Sequence, residues 1–294
     1  MHQLKSLKRR TRRAVGHRLD GLAWRFLWGS GNEPVPVKYA PGHYYSPLPS
    51  RRDIREQLHF EIVGIDLRRD EQLALLEKLS VIDPAGPQFD DPNNGWFSAT
   101  DAAVYQAMIR HYRPTRVVEV GCGWSTAALF DAGAAPHVTL IDPYPNRVYQ
   151  LLSPADLGRC DIVESRLQDA PLSIFESLGS GDVLFIDSTH VVKVGSDVNR
   201  LFFEIFPALA NGVLIHIHDV GYPFEYADAY VQEGWGWNEA YVLRAFLEYN
   251  AAFEIRLWND MLRTMGQLEG DGGSIWLQKV SDEASSKEKV RTKS

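Results

Sequence analysis

Short apolar runs that end in glycine or an acid recur along the middle of this chain, and each is followed by a stretch with helical spacing. The first, Arg116-Val-Val-Glu-Val120, runs directly into Gly121-Cys-Gly-Trp-Ser-Thr126. A near-continuous apolar run of this length fits a strand buried on both faces of a parallel sheet. Val138-Thr-Leu-Ile-Asp142, Cys160-Asp-Ile-Val-Glu164, Asp182-Val-Leu-Phe-Ile-Asp187 and Gly212-Val-Leu-Ile-His-Ile-His-Asp219 repeat the pattern. Helices are expected between them over 126–132, 147–152, 171–178 and 198–209. Two more are expected over 101–111, with Thr100 as N-cap, and over 237–250. Alternating strands and helices predict an α/β fold, a doubly wound and mostly parallel sheet with helices on both faces.

The two ends follow other patterns. Leu4, Leu7, Val15, Leu19, Leu22 and Phe26 recur at three- and four-residue steps among basic residues, which predicts a basic amphipathic helix within 1–30. Residues 1–25 hold eight Lys or Arg against the single acid Asp20, a formal +7 on a chain of net charge −7. Two readings fit: peripheral contact with an anionic membrane surface, or packing of the helix on its own acidic domain. Residues 31–100 read as a lead-in. Its Ala40-Pro-Gly-His-Tyr-Tyr-Ser-Pro-Leu-Pro49 is extended, a lid over a pocket or a surface strap, and its Asp90-to-Ser98 stretch is a turn-rich loop. The polar stretch 281–294 is expected to be disordered. The compact domain is thus expected over 101–280.

Composition narrows the class. A hydrophobic content of 45% with 23% charged residues fits a globular protein, and no apolar run approaches a membrane span. Cys122 and Cys160 form no C-x-x-C pair, so neither a disulfide framework nor a zinc site is expected, and a reducing cytoplasm is the expected compartment. The acidic core argues against nucleic acid as partner.

The chemistry gathers at the strand ends. Gly121 and Gly123 open the backbone N–H groups at a helix start to a nucleotide-type ligand, with Cys122 between them as a small residue. Thr126 stands where a dinucleotide fingerprint has its third glycine, so that fingerprint is incomplete. Asp142, about 20 residues beyond the loop, suits a ribose diol or, alternatively, a turn before Pro143. Arg166-Leu-Gln-Asp169 follows the third strand where an adenine edge would lie, making Gln168 and Asp169 candidates.

These motifs together resemble the class I S-adenosylmethionine-dependent methyltransferases. Glu119-Val-Gly-Cys-Gly123 matches their first motif, Asp142 the ribose acid and Phe185-Ile-Asp187 the fourth-strand motif, over roughly residues 100–280. Gly212-Val-Leu-Ile215, Phe253-Glu-Ile-Arg-Leu257 and Gly273-Ser-Ile-Trp-Leu-Gln-Lys279 look like strands five, six and seven. The resemblance implies a seven-stranded Rossmann-like sheet with strand seven antiparallel between five and six. It implies S-adenosylmethionine as cofactor, with Glu119 orienting the methionine amine, Gly121 to Gly123 facing the amino-acid moiety and Asp187 close by. Ile186-Asp-Ser-Thr-His190 and His218-Asp219 also look like the branch of sugar and macrolide O-methyltransferases, whose members often hold a divalent metal.

At the ends of strands four and five, Asp187, His218 and Asp219 form a candidate set for Mg or Mn, while His190 or His218 is the candidate general base. His216 shares a strand face with His218. The aromatic run from Tyr222 to Trp237 suits a sugar or ring acceptor. The expected function is methyl transfer to a small-molecule or glycan hydroxyl. A nicotinamide-dependent oxidoreductase and a non-catalytic binding module on the same fold are the alternatives.

Overall fold

The apolar runs form seven strands: β1 Arg116–Val120, β2 His137–Ile141, β3 Cys160–Val163, β4 Val183–Ile186, β5 Leu214–Ile217, β6 Phe253–Trp258 and β7 Ile275–Lys279. The structure is a computed structural model that describes residues 38–39, 42–56, 60–79, 86–134 and 136–280. The expected basic helix of 1–30, with its membrane contact, and the expected tail of 281–294 lie outside the described residues.

Two compact units divide the chain, Met1–Leu58 and His59–Ser294. In the first, Ser50 caps the short helix Arg51–Arg55 through a capping box with Asp53, and the rings of Tyr39 and His43 stack at 4.6 Å. The second contains the sheet, whose order is β3-β2-β1-β4-β5-β7-β6. β7 runs antiparallel to both its neighbours and the other pairs are parallel. The strand order reverses between β1 and β4. In such sheets the ligand crevice lies at that switch point, outside the strand C-termini.

Alternation along each strand divides the core in two. Val118, Val120, Leu184, Ile186, Ile215 and Ile217 belong to one cluster, closed by Phe202, Phe206, Leu243 and Trp258. Val117, Val183, Phe185, Leu214 and Trp276 belong to the other, closed by Val104, Tyr105, Met108 and Leu129. Both faces are therefore covered, which is why the strands read as continuous apolar runs.

Several elements depart from the sequence expectation. The helix Ala99–Tyr112 is capped by Ser98, whose hydroxyl accepts from the Asp101 N–H, and not by Thr100, whose hydroxyl donates to the Glu269 carbonyl. The helix expected over 198–209 is α-helical at Asp197–Arg200, widens to a π segment at Leu201–Ile205 and resumes at Phe206–Ala208. Pro207 sits in the last part, and Pro lacks the N–H that regular helical bonding needs. The helix expected over 237–250 spans only Glu239–Leu247. Helix Arg69–Leu79, inside the stretch read as a lead-in, buries Leu75 and Leu79 in the core. Its buried Gln72 donates to the Leu67 carbonyl and accepts from the Trp258 N–H.

Candidate active site

The loop after β1 is shaped by a backbone approach. Gly121 has φ +79°, and a Cβ there would lie 2.0 Å from the Asp187 carbonyl oxygen, so no side chain fits. The Asp187 N–H also donates to the Val120 carbonyl at 2.9 Å. The end of β4 is thereby fastened against the glycine loop.

Thr126, at the position of the absent third glycine, has a use of its own. Its hydroxyl accepts from the Gly123 N–H at 3.0 Å and donates to Glu119 at 2.6 Å. The Tyr105 hydroxyl donates to the other Glu119 oxygen at 2.9 Å. Glu119 is fully buried, sealed off by these two hydroxyls. Through Thr126, Glu119 braces the glycine loop. Burial pushes its carboxyl up to about 7 against the two hydroxyl donors, with Asp187 adding to the rise.

That shift has a testable sign. A carboxyl whose folded pKa lies above its unfolded value of about 4.5 favours folding at low pH, and the advantage disappears as pH rises through about 7. Glu119→Gln should therefore match the wild type near pH 5 and gain on it by roughly 3 kcal/mol by pH 8, read from paired denaturant melts of the cofactor-free chain. Parallel curves across that window would contradict the buried, raised carboxyl.

Asp142 stands against the same loop. One oxygen accepts from the Cys122 N–H at 3.2 Å, and the other accepts from the Tyr144 N–H at 2.6 Å, as a turn carboxylate does. Cys122 is half-buried and burial pushes its thiol up, which suits a small loop residue and not a nucleophile. Gln168 and Asp169 are engaged elsewhere: Gln168 donates to the Gly195 carbonyl at 2.9 Å, and Asp169 pairs with Arg166 at 2.8 and 3.1 Å.

Beyond the ends of β4 and β5 the ionisable side chains converge. His190 and Asp219 both adopt left-handed backbone, each with φ +56°. Such strain is uncommon for residues with side chains and collects at functional sites. His218 Nδ1 lies 3.6 Å from Asp187 and 3.4 Å from Asp219. One ligand atom from each of Asp187, His218 and Asp219 falls within 4.8 Å of the others, a spacing that suits one cation. His190 Nε2 lies 3.2 Å from Asp187 and 3.5 Å from Asp219, and its Nδ1 meets Glu239 at 3.0 Å.

Both histidines are surrounded by carboxylates. Burial opposes the charge on His190, yet Asp187 and Glu239 hold its pKa up at about 10. For His218, burial is likewise outweighed by Asp219, Asp187 and Asp101, which hold it well above its ordinary range. The surrounding carboxylates thus favour the protonated form of both rings. His216 is pushed down to about 3 by burial and by its neighbour His218, and it stacks flat on Phe185 at 4.1 Å. It is a neutral core ring.

Two acids escaped the sequence reading. Asp101 is buried behind His218, with its Oδ2 3.5 Å from Nε2. It accepts from Asn259 Nδ2 at 2.7 Å, the Ser98 hydroxyl at 2.9 Å and the Gly273 N–H at 3.2 Å. Burial would raise its pKa, but His218 outweighs that and holds it at about 2. Glu239 stands likewise behind His190, its Oε2 3.0 Å from Nδ1. Each stands in the first turn of a helix, where an acid usually serves only the helix dipole. A signal existed: Asp101 with Tyr105, and Glu239 with Leu243 and Leu247, share a four-residue step on a buried stripe.

His218 and Asp219 open onto a cleft of about 710 Å³ between the 92–98 loop and residues 221–230. Asn94 ties that loop together by donating to the Asp91 and Phe97 carbonyls and accepting from the Trp96 and Phe97 N–H groups. At its tip, Trp96 lies over the Arg147 guanidinium at 4.1 Å.

Seven strands in this order, a glycine loop after β1 and an acid after β2 define a nucleotide-cofactor α/β enzyme fold. A family model described as a methyltransferase domain matches residues 118–220, from β1 to just past β5. Over those residues the chain is similar to a methyltransferase domain, the class that the strand order and the glycine loop also fit. An uncharacterised protein of Archaeoglobus fulgidus is 35% identical over 176 residues, which span 52% of this chain and 79% of that protein. Among solved structures, the SAH-bound Podospora anserina methyltransferase PaMTH1 aligns at 15% identity with a TM-score of 0.48, covering 76% of this chain and all of that one. The Bacillus cereus O-methyltransferase in complex with SAH aligns at 12% identity and a TM-score of 0.41, over 78% of this chain and 96% of that one. No helix among the described residues is long and apolar enough to cross a membrane.

Proposed function

We propose that this methyltransferase moves the methyl group of S-adenosylmethionine to a hydroxyl of a small-molecule or glycan acceptor. The observation that carries this reading is the Asp187, His190, His218 and Asp219 cluster, set against the glycine loop, with His218 and Asp219 lining an aromatic-walled cleft. Four ionisable groups crowded at strand ends are costly to bury without a use, which favours an enzyme over a binding module. Thr126, spent on Glu119 and Gly123, favours the methyltransferase over a nicotinamide enzyme.

On this reading the loop N–H groups and Asp142 hold the cofactor. The acceptor oxygen would attack the methyl carbon in line as the carbon–sulfur bond breaks, with the hydroxyl proton passing to the Asp219 carboxylate and S-adenosylhomocysteine leaving. Alignment supplies most of the acceleration. Asp219, at the mouth of the cleft, orients the acceptor hydroxyl. Asp187, His218 and Asp219 would hold Mg or Mn. His218 Nδ1 is buried without a hydrogen-bond partner beside both carboxylates, while Asp101 stands behind Nε2 as the partner a ligating imidazole needs. Such an ion would lower the pKa of the acceptor hydroxyl.

Calorimetric titration of the chain with S-adenosylhomocysteine and with NAD tests the cofactor, and a methyl-transfer screen over glycan and phenolic hydroxyls tests the reaction. Asp142→Ala should weaken S-adenosylhomocysteine binding by about 1–3 kcal/mol through loss of charge-assisted hydrogen bonds. Unchanged affinity would remove Asp142 from the ribose site. Turnover that survives exhaustive chelation at full rate would remove the cation.

A further inference from the structure

The walls of the acceptor cleft have an unbalanced charge. Asp101, Asp219, Glu225, Asp260 and Asp271 contribute carboxylates, Asp101 facing His218, and Arg263 is the one Lys or Arg among the described lining residues. Arg263 is already committed: its Nε and Nη2 reach Asp260 Oδ1 at 2.9 and 2.5 Å. Asp260 Oδ2 in turn accepts from the Tyr222 N–H at 2.6 Å. Two carboxylates keep free lone pairs. Glu225 accepts from the Tyr241 hydroxyl through Oε2 only, and the Asp271 carboxylate has no hydrogen bond or ion pair among the described residues.

The aromatic side of the cleft leads back to the reaction centre. Tyr226 and Tyr230 line the cleft, and their rings lie 5.9 and 5.2 Å from that of Trp237, which packs 4.6 Å from His190. Aromatic faces attract cations through the ring quadrupole and also stack on sugar faces. His218, which is 4% exposed, lines the same cleft, with its Nδ1 3.4 Å from Asp219.

Resting on the methyltransferase reading above, we infer that the acceptor carries a protonated amine beside its hydroxyl, with Glu225 and Asp271 as the specificity-determining carboxylates. An anionic acceptor such as a phosphorylated or carboxylated sugar would meet these acids with no free arginine or lysine to receive it. An ammonium group would pair with Glu225 or Asp271 and lie against the tyrosine faces, leaving the hydroxyl free to approach Asp219. Both an amino sugar and a phenolic amine have this chemistry.

Calorimetry on the full chain loaded with S-adenosylhomocysteine and Mg separates the cases. Kanamycin A is compared with its fully N-acetylated form, and dopamine with 3,4-dihydroxyphenylacetate. At least one amine should bind about tenfold or more tightly than its neutral or anionic counterpart, with the preference fading at high salt. The pair that shows it identifies the sugar or the phenolic source. Glu225→Gln and Asp271→Asn, each checked for folding by thermal melting, should cut the amine's affinity by about three- to tenfold and leave the counterpart's unchanged. Equal or tighter binding of the counterparts, or no binding of either amine, overturns the inference and leaves the methyltransferase reading standing. If S-adenosylhomocysteine itself fails to load, it is that reading that falls.

Discussion

Asp219→Asn should lower kcat by about 10²- to 10⁴-fold, the range associated with losing a group that acts on the reacting proton, while S-adenosylmethionine affinity stays within about twofold. Asp219 follows β5 in a left-handed conformation that asparagine also tolerates, so the backbone is preserved. What goes is a negative charge 3.4 Å from His218 and 3.5 Å from His190. Without it, His190 and His218 share Asp187 alone on the side of the reacting atoms, and the acceptor hydroxyl loses its orienting carboxylate. The glycine loop and Asp142 are untouched, which is why binding and turnover should separate. The comparison is a single-turnover assay with labelled S-adenosylmethionine and the best acceptor of the hydroxyl screen. Wild-type turnover in the variant would remove Asp219 from the reaction, and a parallel loss of cofactor affinity would place it on the wrong side of the methyl group.

The largest expected stability change is at Asp101. Asp101→Ala should cost about 3–5 kcal/mol, because it strips a buried charge pair of one partner. It leaves the buried His218 facing a void and removes the acceptor for Asn259 Nδ2, the Ser98 hydroxyl and the Gly273 N–H. The carboxylate ties the start of helix Ala99–Tyr112 to the segment before β7 and to the end of β6, so three elements loosen together. At roughly 2–4 °C per kcal/mol for a domain of this size, the melting temperature should fall by about 10 °C. Asp101→Asn, which keeps the shape and loses the charge, should fall between. A change in the alanine variant under about 1 kcal/mol would mean that Asp101 is not the anchor of His218.

The contrast between these residues shows how far a linear reading reaches. Asp219 was legible: an acid at the end of an apolar run, next to a histidine, at the edge where parallel sheets bind ligands. Glu119 was legible as part of a motif, but nothing local to β1 shows that Tyr105 and Thr126 close over it. His190 and His218 were recognised as a cluster, while their charge state depends on Glu239 and Asp101, whose helices reach the site from elsewhere in the chain. The acid-on-stripe pattern that marks those two helices becomes meaningful only once the stripe is known to face the sheet.

By itself, the sequence determined the strands, their parallel pairing, the glycine loop and the acids beside it. These follow from residue-to-residue alternation, from turn chemistry at glycine and from motif order, all of which act within a few positions along the chain. Which buried side chain faces which was left to the tertiary structure. It set Asp101 behind His218 and Glu239 behind His190, gave Gln168 and Asp169 other partners, and widened helix 198–209 into a π segment at Leu201–Ile205. Those outcomes are decided by packing between elements far apart in the chain. There, desolvation and partner geometry set protonation and orientation, and no local pattern encodes either.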